Sequence, residues 1–406
     1  MNSADDFYPR RRLLLELLRT GLARVHGRHC VATALSATAP AAPVWAAAVG
    51  KAATAMALGA FDALGGAIER TLLITREPED LSAFPAGAAP EVWLGAHPVP
   101  DERSLAAGAR LLAWVDELPA GVWPLFLISG GASSLVEVPA EGATLEDLAL
   151  LTRLSFSSGM PIGELNARRA ALSRIKGGRL AARLAGRAAR ALFISDVPRD
   201  DPRVIGSGVM GPAPGGDRIE RLVVASVDHA VTAVATRATQ LGLAVHASSE
   251  RFVGSAERLA ARFAHELHLG AAQLHVWGGE STVQLPPQPG RGGRNQHLAL
   301  AAARLIAGHS ELLLLAAGTD GSDGVTDDAG ALIDAETCGR VSLAQLDPDD
   351  CLAQANSAAA LAASGDLLHT GPTGTNVGDL VIGLKLSAQA AEALAQHRDA
   401  RGPRVL

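Results

Sequence analysis

Five predicted strands of this chain end in small, polar or glycine-rich loops of the kind that can do chemistry on an anion. They are Gly50-Lys51, Ser129-Gly130-Gly131 with Ser133, Ser195-Asp196, Gly278-Gly279-Glu280, and Gly318-Thr319-Asp320 running on to Asp323. Loops without bulky side chains expose backbone N–H groups and helix N-termini, which favour negative charge. Glycine also makes tight strand-to-helix turns with no ligand in view. Five such loops that together carry a lysine and several carboxylates point instead to a phosphate and metal site. A sixth stretch, "GRGGRNQHLALAAARL" from Gly290 to Leu305, places Arg294 where a helix must begin, behind glycines that keep its approach clear.

The elements that hold these loops read as α/β. Val44–Val49, Arg70–Ile74, Glu91–Leu94, Pro124–Ile128 and Ala191–Ile194 are short apolar runs separated by Ala/Leu/Arg stretches of helical period, the rhythm of a parallel sheet covered by helices. The glycine- and proline-rich "GSGVMGPAPGGDR", Gly206 to Arg218, interrupts that rhythm and serves as the linker candidate. A second series follows at Leu222–Ser226, Leu243–His246, Leu274–Trp277, Glu311–Ala316 and Leu380–Leu384. With 406 residues the expectation is two domains, 1–220 and 221–406, each with a core of its own. In open sheets of this kind ligands sit beyond the carboxyl ends of the strands, where the polar loops are.

Composition excludes other classes. The chain is 48% apolar and 19% charged with a formal charge of −6, which provides no basic field for nucleic acid. Arg10-Arg11-Arg12 before Leu13-Leu14-Leu15 resembles a signal peptide, but Glu16 and Arg19 break the run and the leucines recur at helical spacing, so an amphipathic surface helix is expected. No segment reaches the roughly 18 apolar residues of a membrane span. Cys30, Cys338 and Cys351 form no CxxC pair, which fits a reducing, cytoplasmic setting and no structural zinc.

Three motif matches fail on inspection. Gly206-Ser207-Gly208-Val209-Met210-Gly211 fits GxGxxG, but Pro212 and Pro214 stand where a nucleotide-binding helix should open. "VGKAA" has Trp45 and Ala52 where a Walker A loop needs glycine and a hydroxyl. His265-Glu266-Leu267-His268 lacks the second histidine of HExxH, since position 269 is Leu269.

In order along the chain, "VGKAATAMA", "AHPVPDERS", "LISGGASSL", "RIKGGRLA", "ISDVPRDDPRVIGSG", "GGESTVQL", "GRGGRNQHLALAAA", "AAGTDGSDGVTDDAGALID" and "TGPTGTNVGDL" resemble the serial motifs of the glycerate 2-kinase family, over about residues 45–385. The resemblance implies two three-layer α/β/α domains, the first a Rossmann-like parallel sheet and the second a mixed sheet. The second would contain a MOFRL-like region at about 275–390, and the active site would lie in the cleft between the domains. It implies transfer of the γ-phosphoryl of ATP, with Mg2+ or another divalent metal, to the 2-hydroxyl of D-glycerate. Partners would be these small molecules, with no nucleic acid or membrane, and a homodimer is left open. Some relatives carry the name hydroxypyruvate reductase, which makes an NAD(P)H-dependent reductase the rival reading; a kinase for a related hydroxy acid is another. The motifs depart from the family pattern at Ala132, Ala96, Val325 and Gly378, which bears on substrate preference more than on reaction type.

Phosphoryl transfer needs in-line positioning and cations around the transferred group. Lys51 and Arg294, each beside glycine at the head of a helix, are the expected cations; Arg294 would hold a phosphoryl or the acceptor carboxylate, or else only cap a turn. Asp196 is placed to take the acceptor proton or to bind metal. Ser129, Gly130, Gly131 and Ser133 offer donors to the substrate, and Lys176 belongs either to that set or to a basic helical face with Arg168, Arg169 and Arg174. Gly278, Gly279, Glu280, Gly318, Thr319, Thr375 and Asn376 are expected around the nucleotide, with Thr373 in the same clasp. Glu280, Asp320 and Asp323 are the expected metal ligands. His97 is expected to pack a loop, and Asp327 and Asp328 to be solvated.

Overall fold

A computed structural model of the chain describes residues 9–37, 40, 42–77, 79–158 and 162–392. The chain divides into two compact units. The first, the parallel-sheet unit, is Val25–Ser226 with Gly374–Val377; the second, the mixed-sheet unit, comprises the described residues of Met1–Arg24, Val227–Thr373 and Gly378–Leu406.

The parallel-sheet unit contains β1 (Val44–Val49), β2 (Ile68–Thr75), β3 (Glu91–Leu94), β4 (Trp123–Ile128), β5 (Ala189–Ile194) and β6 (Ile219–Ala225). All pairs are parallel, in the order β3-β2-β1-β4-β5-β6. β1 and β5 are buried along their whole length, as strands covered on both faces must be, and this is why they read as unbroken apolar runs. Trp114 packs at tilted and edge-on angles against Trp45 and Phe126 in the core beneath the sheet. The strand order reverses direction between β1 and β4, and such a switch point opens a crevice at the carboxyl ends of the two strands.

The mixed-sheet unit contains β7 (Val245–Ala247), β8 (Phe252–Ser255), β9 (Leu274–Thr282), β10 (Leu312–Gly318), β11 (Gly330–Asp334), β12 (Leu367–Leu368) and β13 (Asp379–Lys385). Their order is β12-β11-β10-β13-β9-β7, with β8 paired to β9. β10 lies antiparallel to both of its neighbours, whereas β7 and β8 run parallel to β9. One face is covered by the helices Ala256–Leu269 and Arg294–Ile306. The other receives Leu13, Leu14, Leu17 and Leu18 against Leu380, Ile382 and Leu384.

This architecture differs from a single cut near residue 220. The helix Pro9–Val25 buries its leucine stripe on the mixed sheet, so the first described residues belong there rather than with the parallel sheet. The strand expected at 222–226 to open a second series is β6, the last strand of the first sheet, paired in parallel with β5 with one register shift between Phe193 and Ile194. The linker candidate therefore lies inside one unit: Gly177 and Gly178 donate backbone N–H groups to the carbonyls of Ser207 and Gly208, and Arg221 donates to the carbonyls of Met210 and Gly211. β8, β11 and β12 are short or glycine-bearing, and the apolar pattern alone gives them no signal.

Candidate functional site

In the parallel-sheet unit the loops after β1, β4 and β5 meet. Gly50 has φ +132, and a Cβ there would lie 2.1 Å from Ser129 Oγ. Its freedom lets the two loops interlock: Lys51 N donates to Gly130 O at 2.9 Å and Ala52 N to Ser129 Oγ at 3.1 Å. Gly130 does the same for a carboxylate, since a Cβ there would stand 2.2 Å from both Asp196 Oδ2 and Asn376 Nδ2. Asn376 Nδ2 donates to Asp196 Oδ2 at 3.3 Å, orienting that carboxylate at the end of β5. Gly131 is left-handed, with the Cγ of Lys51 and the ring edge of His97 beside it. Ala132, which replaces the glycine usual in the resembled motif, is buried within the helical turn Ala132–Leu135, where alanine fits without strain.

Ser133 Oγ lies 2.5 Å from Ser207 Oγ and accepts from Arg169 Nη1 at 3.1 Å. Lys176 is neither on a helical face nor exposed. It sits in a turn, 2% exposed, with its ammonium on Glu137 Oε2, while Glu137 Oε1 accepts from Ser173 Oγ and Val138 N. Burial pushes the Lys176 ammonium down and the Glu137 charge opposes this, so it is placed as a buried partner of Glu137.

In the mixed-sheet unit the helix Arg294–Ile306 begins at Gly293, which has no side chain to cap it. Asp323 caps it from another segment: Oδ1 accepts from Asn295 N at 3.1 Å and Oδ2 from Gln296 N at 2.8 Å. The glycines that precede Arg294 make room for protein groups. A Cβ on Gly293 would lie 2.2 Å from Asp323 Cγ, one on Gly290 2.4 Å from Asn356 Cβ, and one on Gly292 2.4 Å from Ser357 Oγ. Arg294 donates from Nε to Asp379 Oδ2 at 2.7 Å, from Nη2 to Asp379 Oδ1 at 3.0 Å and from Nη1 to Glu280 Oε1 at 2.6 Å. Burial opposes its charge, but Asp379 and Glu280 outweigh burial and push the guanidinium up. Burial pushes Asp323 up to about 7, with the Asp379 charge in the same direction.

Gly278 and Gly279 are not a strand-end loop. They lie within β9, where a Cβ would meet Val227 at 2.5 Å and the backbone oxygen of Phe252 at 2.2 Å, so their small size serves helix and strand packing. Gly318 ends β10; Thr319 is held through its N–H and hydroxyl by the Gly378 carbonyl, and Thr373 Oγ1 donates to Thr319 O. Gly378 has φ +91, a left-handed conformation that both glycine and asparagine tolerate, which accounts for the departure there. Thr375, buried, and Asn376 belong to the parallel-sheet unit, whereas Gly278, Gly279, Glu280, Gly318 and Thr319 belong to the mixed-sheet unit.

The residues do not fit a preformed divalent-metal cage. Asp323 is consumed by backbone amides, Glu280 pairs with Arg294, and Asp320 Oδ1 accepts from Ser322 N and Oγ. Among the described residues no three His, Cys, Asp or Glu side chains are grouped as metal ligands. Asp327 is exposed. Asp379, Arg169, Ser207 and Asn166 had no local sequence signal as site residues, because their partners are far off in the chain.

With this geometry in hand, residues 13–237 match the domain of unknown function DUF4147 and residues 273–379 match the MOFRL family. The chain is 35% identical over 376 residues to D-glycerate 2-kinase of Thermotoga maritima, covering 83% of this chain and 89% of that protein. It is also 35% identical over 375 residues to an Agrobacterium vitis protein provisionally named hydroxypyruvate reductase, covering 82% and 84%. The crystal structure of glycerate kinase from Thermotoga maritima superposes with a TM-score of 0.81 at 32% identity, covering 92% of this chain and 99% of that one. The chain belongs to the glycerate 2-kinase family.

Proposed function

We propose that this protein transfers the γ-phosphoryl group of ATP to the 2-hydroxyl of D-glycerate, giving 2-phosphoglycerate and ADP. The observation that carries this reading is the convergence of Lys51, the Ser129–Gly131 loop and Asp196 at the carboxyl ends of β1, β4 and β5. Asp196, oriented by Asn376, takes the proton of the 2-hydroxyl as its oxygen bonds to the γ-phosphorus. The bond from that phosphorus to the bridging oxygen breaks and ADP leaves. Lys51 contributes positive charge to the transferred group; in the mixed-sheet unit, Arg294 serves as a phosphate-binding cation and Gly318 and Thr319 as nucleotide contacts. Mg2+ would enter with the nucleotide phosphates, using few protein ligands, and no step here depends on it. The three cysteines are free, in keeping with a reducing, cytoplasmic setting, and no helix among the described residues is long and apolar enough to cross a membrane.

The reductase reading has less support. The GxGxxG match at 206–211 forms a turn with Gly206, Ser207 and Gly208 all left-handed, followed by Pro212, and no helix opens to receive a pyrophosphate. Incubation with ATP, Mg2+ and a panel of hydroxy acids, read by phosphorus NMR, should give 2-phosphoglycerate from D-glycerate, with no NADH oxidation on hydroxypyruvate. NADH turnover by the pure protein without ADP formation would overturn the assignment.

A further inference from the structure

Ser207 is a non-glycine residue at φ +56 between two left-handed glycines, a conformation that L side chains adopt only where surrounding structure enforces it. The turn delivers a hydroxyl. Ser207 Oγ is buried and donates to Asn166 Oδ1 at 2.8 Å, so in its 2.5 Å contact with Ser133 it is the acceptor and Ser133 the donor. Ser133 Oγ in turn accepts from Arg169 Nη1 at 3.1 Å. The protons are thereby assigned along Arg169, Ser133, Ser207 and Asn166.

Arg169 begins this chain without a counter-ion. Its Nη2 donates to Thr152 Oγ1 at 3.4 Å, and among the described residues no carboxylate stands within ion-pair distance of its guanidinium. The nearby acid, Glu137, is already held by Lys176, Ser173 and Val138. Burial pushes the Arg169 guanidinium down, with Glu137 opposing. Two cations and one carboxylate leave a surplus positive charge in a half-buried site, an arrangement that an anion would complete. Among the described residues, Nε–H and one N–H on each terminal nitrogen meet no acceptor and can receive that anion, in the fork that matches a carboxylate.

We propose that Arg169, positioned by the Ser133 hydroxyl that accepts from its Nη1, is the receptor for the carboxylate of the acceptor substrate and so selects 2-hydroxy acids over neutral alcohols. Ser133 stands on the same loop as Gly130, whose missing Cβ admits Asp196. The segment after β4 thus borders both the anion receptor, through Ser133, and the proton acceptor, through Gly130, as a molecule with its carboxylate and hydroxyl on adjacent carbons requires. Naming the anion as the acceptor rests on the kinase reading.

The test uses the full chain. Calorimetric binding of D-glycerate without nucleotide, and KM with ATP, are compared with the methyl ester of D-glycerate for wild type, Arg169→Gln and Arg169→Lys. Loss of a charged hydrogen-bonding group predicts affinity for the acid falling about 10- to 100-fold in Arg169→Gln, with KM for ATP unchanged and the preference for acid over ester collapsing. Arg169→Lys keeps the charge, loses the fork and should fall between, and it carries the test if Arg169→Gln does not fold. A purely structural role would weaken acid and ester alike, and an undiminished preference in either folded variant overturns the proposal. Wild type that binds D-glycerate but forms no phosphorylated product sinks the kinase reading and leaves the receptor standing. Product formation with the preference unchanged in the variants does the reverse.

Discussion

Arg294 grips Asp379 with two parallel donors, Nε on one carboxylate oxygen at 2.7 Å and Nη2 on the other at 3.0 Å, while Asn295 Nδ2 adds a third donor to the same fully buried carboxylate. The arginine at the helix start is therefore an anchored cation, with its outer edge toward Glu280.

That anchoring splits the outcome of two substitutions. Arg294→Lys keeps the charge but not the fork, and kcat/KM should fall roughly tenfold to a thousandfold, about 1.4 to 4 kcal/mol of transition-state stabilisation. Arg294→Ala also strands Asp379 and should cost roughly 3 kcal/mol of stability. Measuring kcat/KM beside the thermal midpoint tests the role: wild-type turnover per folded molecule in Arg294→Ala would reduce this residue to a structural anchor.

Gly130→Ala puts a methyl group onto Asp196 Oδ2 and Asn376 Nδ2, each 2.2 Å from the Cβ position. The displaced carboxylate can no longer meet the acceptor hydroxyl, and kcat should fall by about 10²-fold or more, the scale of general-base loss. Gly66→Ala, where nothing lies within 4 Å, is the control and should keep wild-type kcat.

Acid stability should depend on Asp217. Hydrogen bonds from Arg221 hold its carboxyl down at about 2 against burial, which raises it. A depressed carboxyl contributes above its unfolded value of 3.8 and loses that contribution as pH falls through the folded value. Wild type should lose about 2 kcal/mol between pH 4 and 2 from this group, and Asp217→Asn should lack the contribution at pH 7 and show a flatter slope. Urea midpoints at pH 7, 4 and 3 check this; equal slopes would remove Asp217 from the acid response.

Chelation should separate catalysis from folding. If Mg2+ enters with the nucleotide, EDTA abolishes turnover yet leaves the thermal midpoint of the nucleotide-free chain within about 1 °C, because no metal-bound native state is being depleted. A midpoint that drops on chelation would reveal a resident metal site.

Local physics made part of this protein legible from its residues. Unbroken apolar runs at β1, β4 and β5 marked doubly covered strands, and the small polar loops after them marked the end of the sheet where Lys51, Gly130 and Asp196 converge. Glycine identity, however, does not say what occupies the space it leaves. Gly290 and Gly293 make room for Asn356 and Asp323, and Gly278 and Gly279 for Val227 and Phe252, because what fills the gap is set by segments remote in the chain. The same holds for charge. Arg168 and Arg169 are adjacent and chemically identical in sequence, yet the first pairs with Glu164 at the surface while the second points to Ser133. The surplus charge at Arg169, the capping of Arg294–Ile306 by Asp323 and the placement of Asn376 beside Asp196 were decided by tertiary structure alone, since each depends on which distant groups share a buried volume.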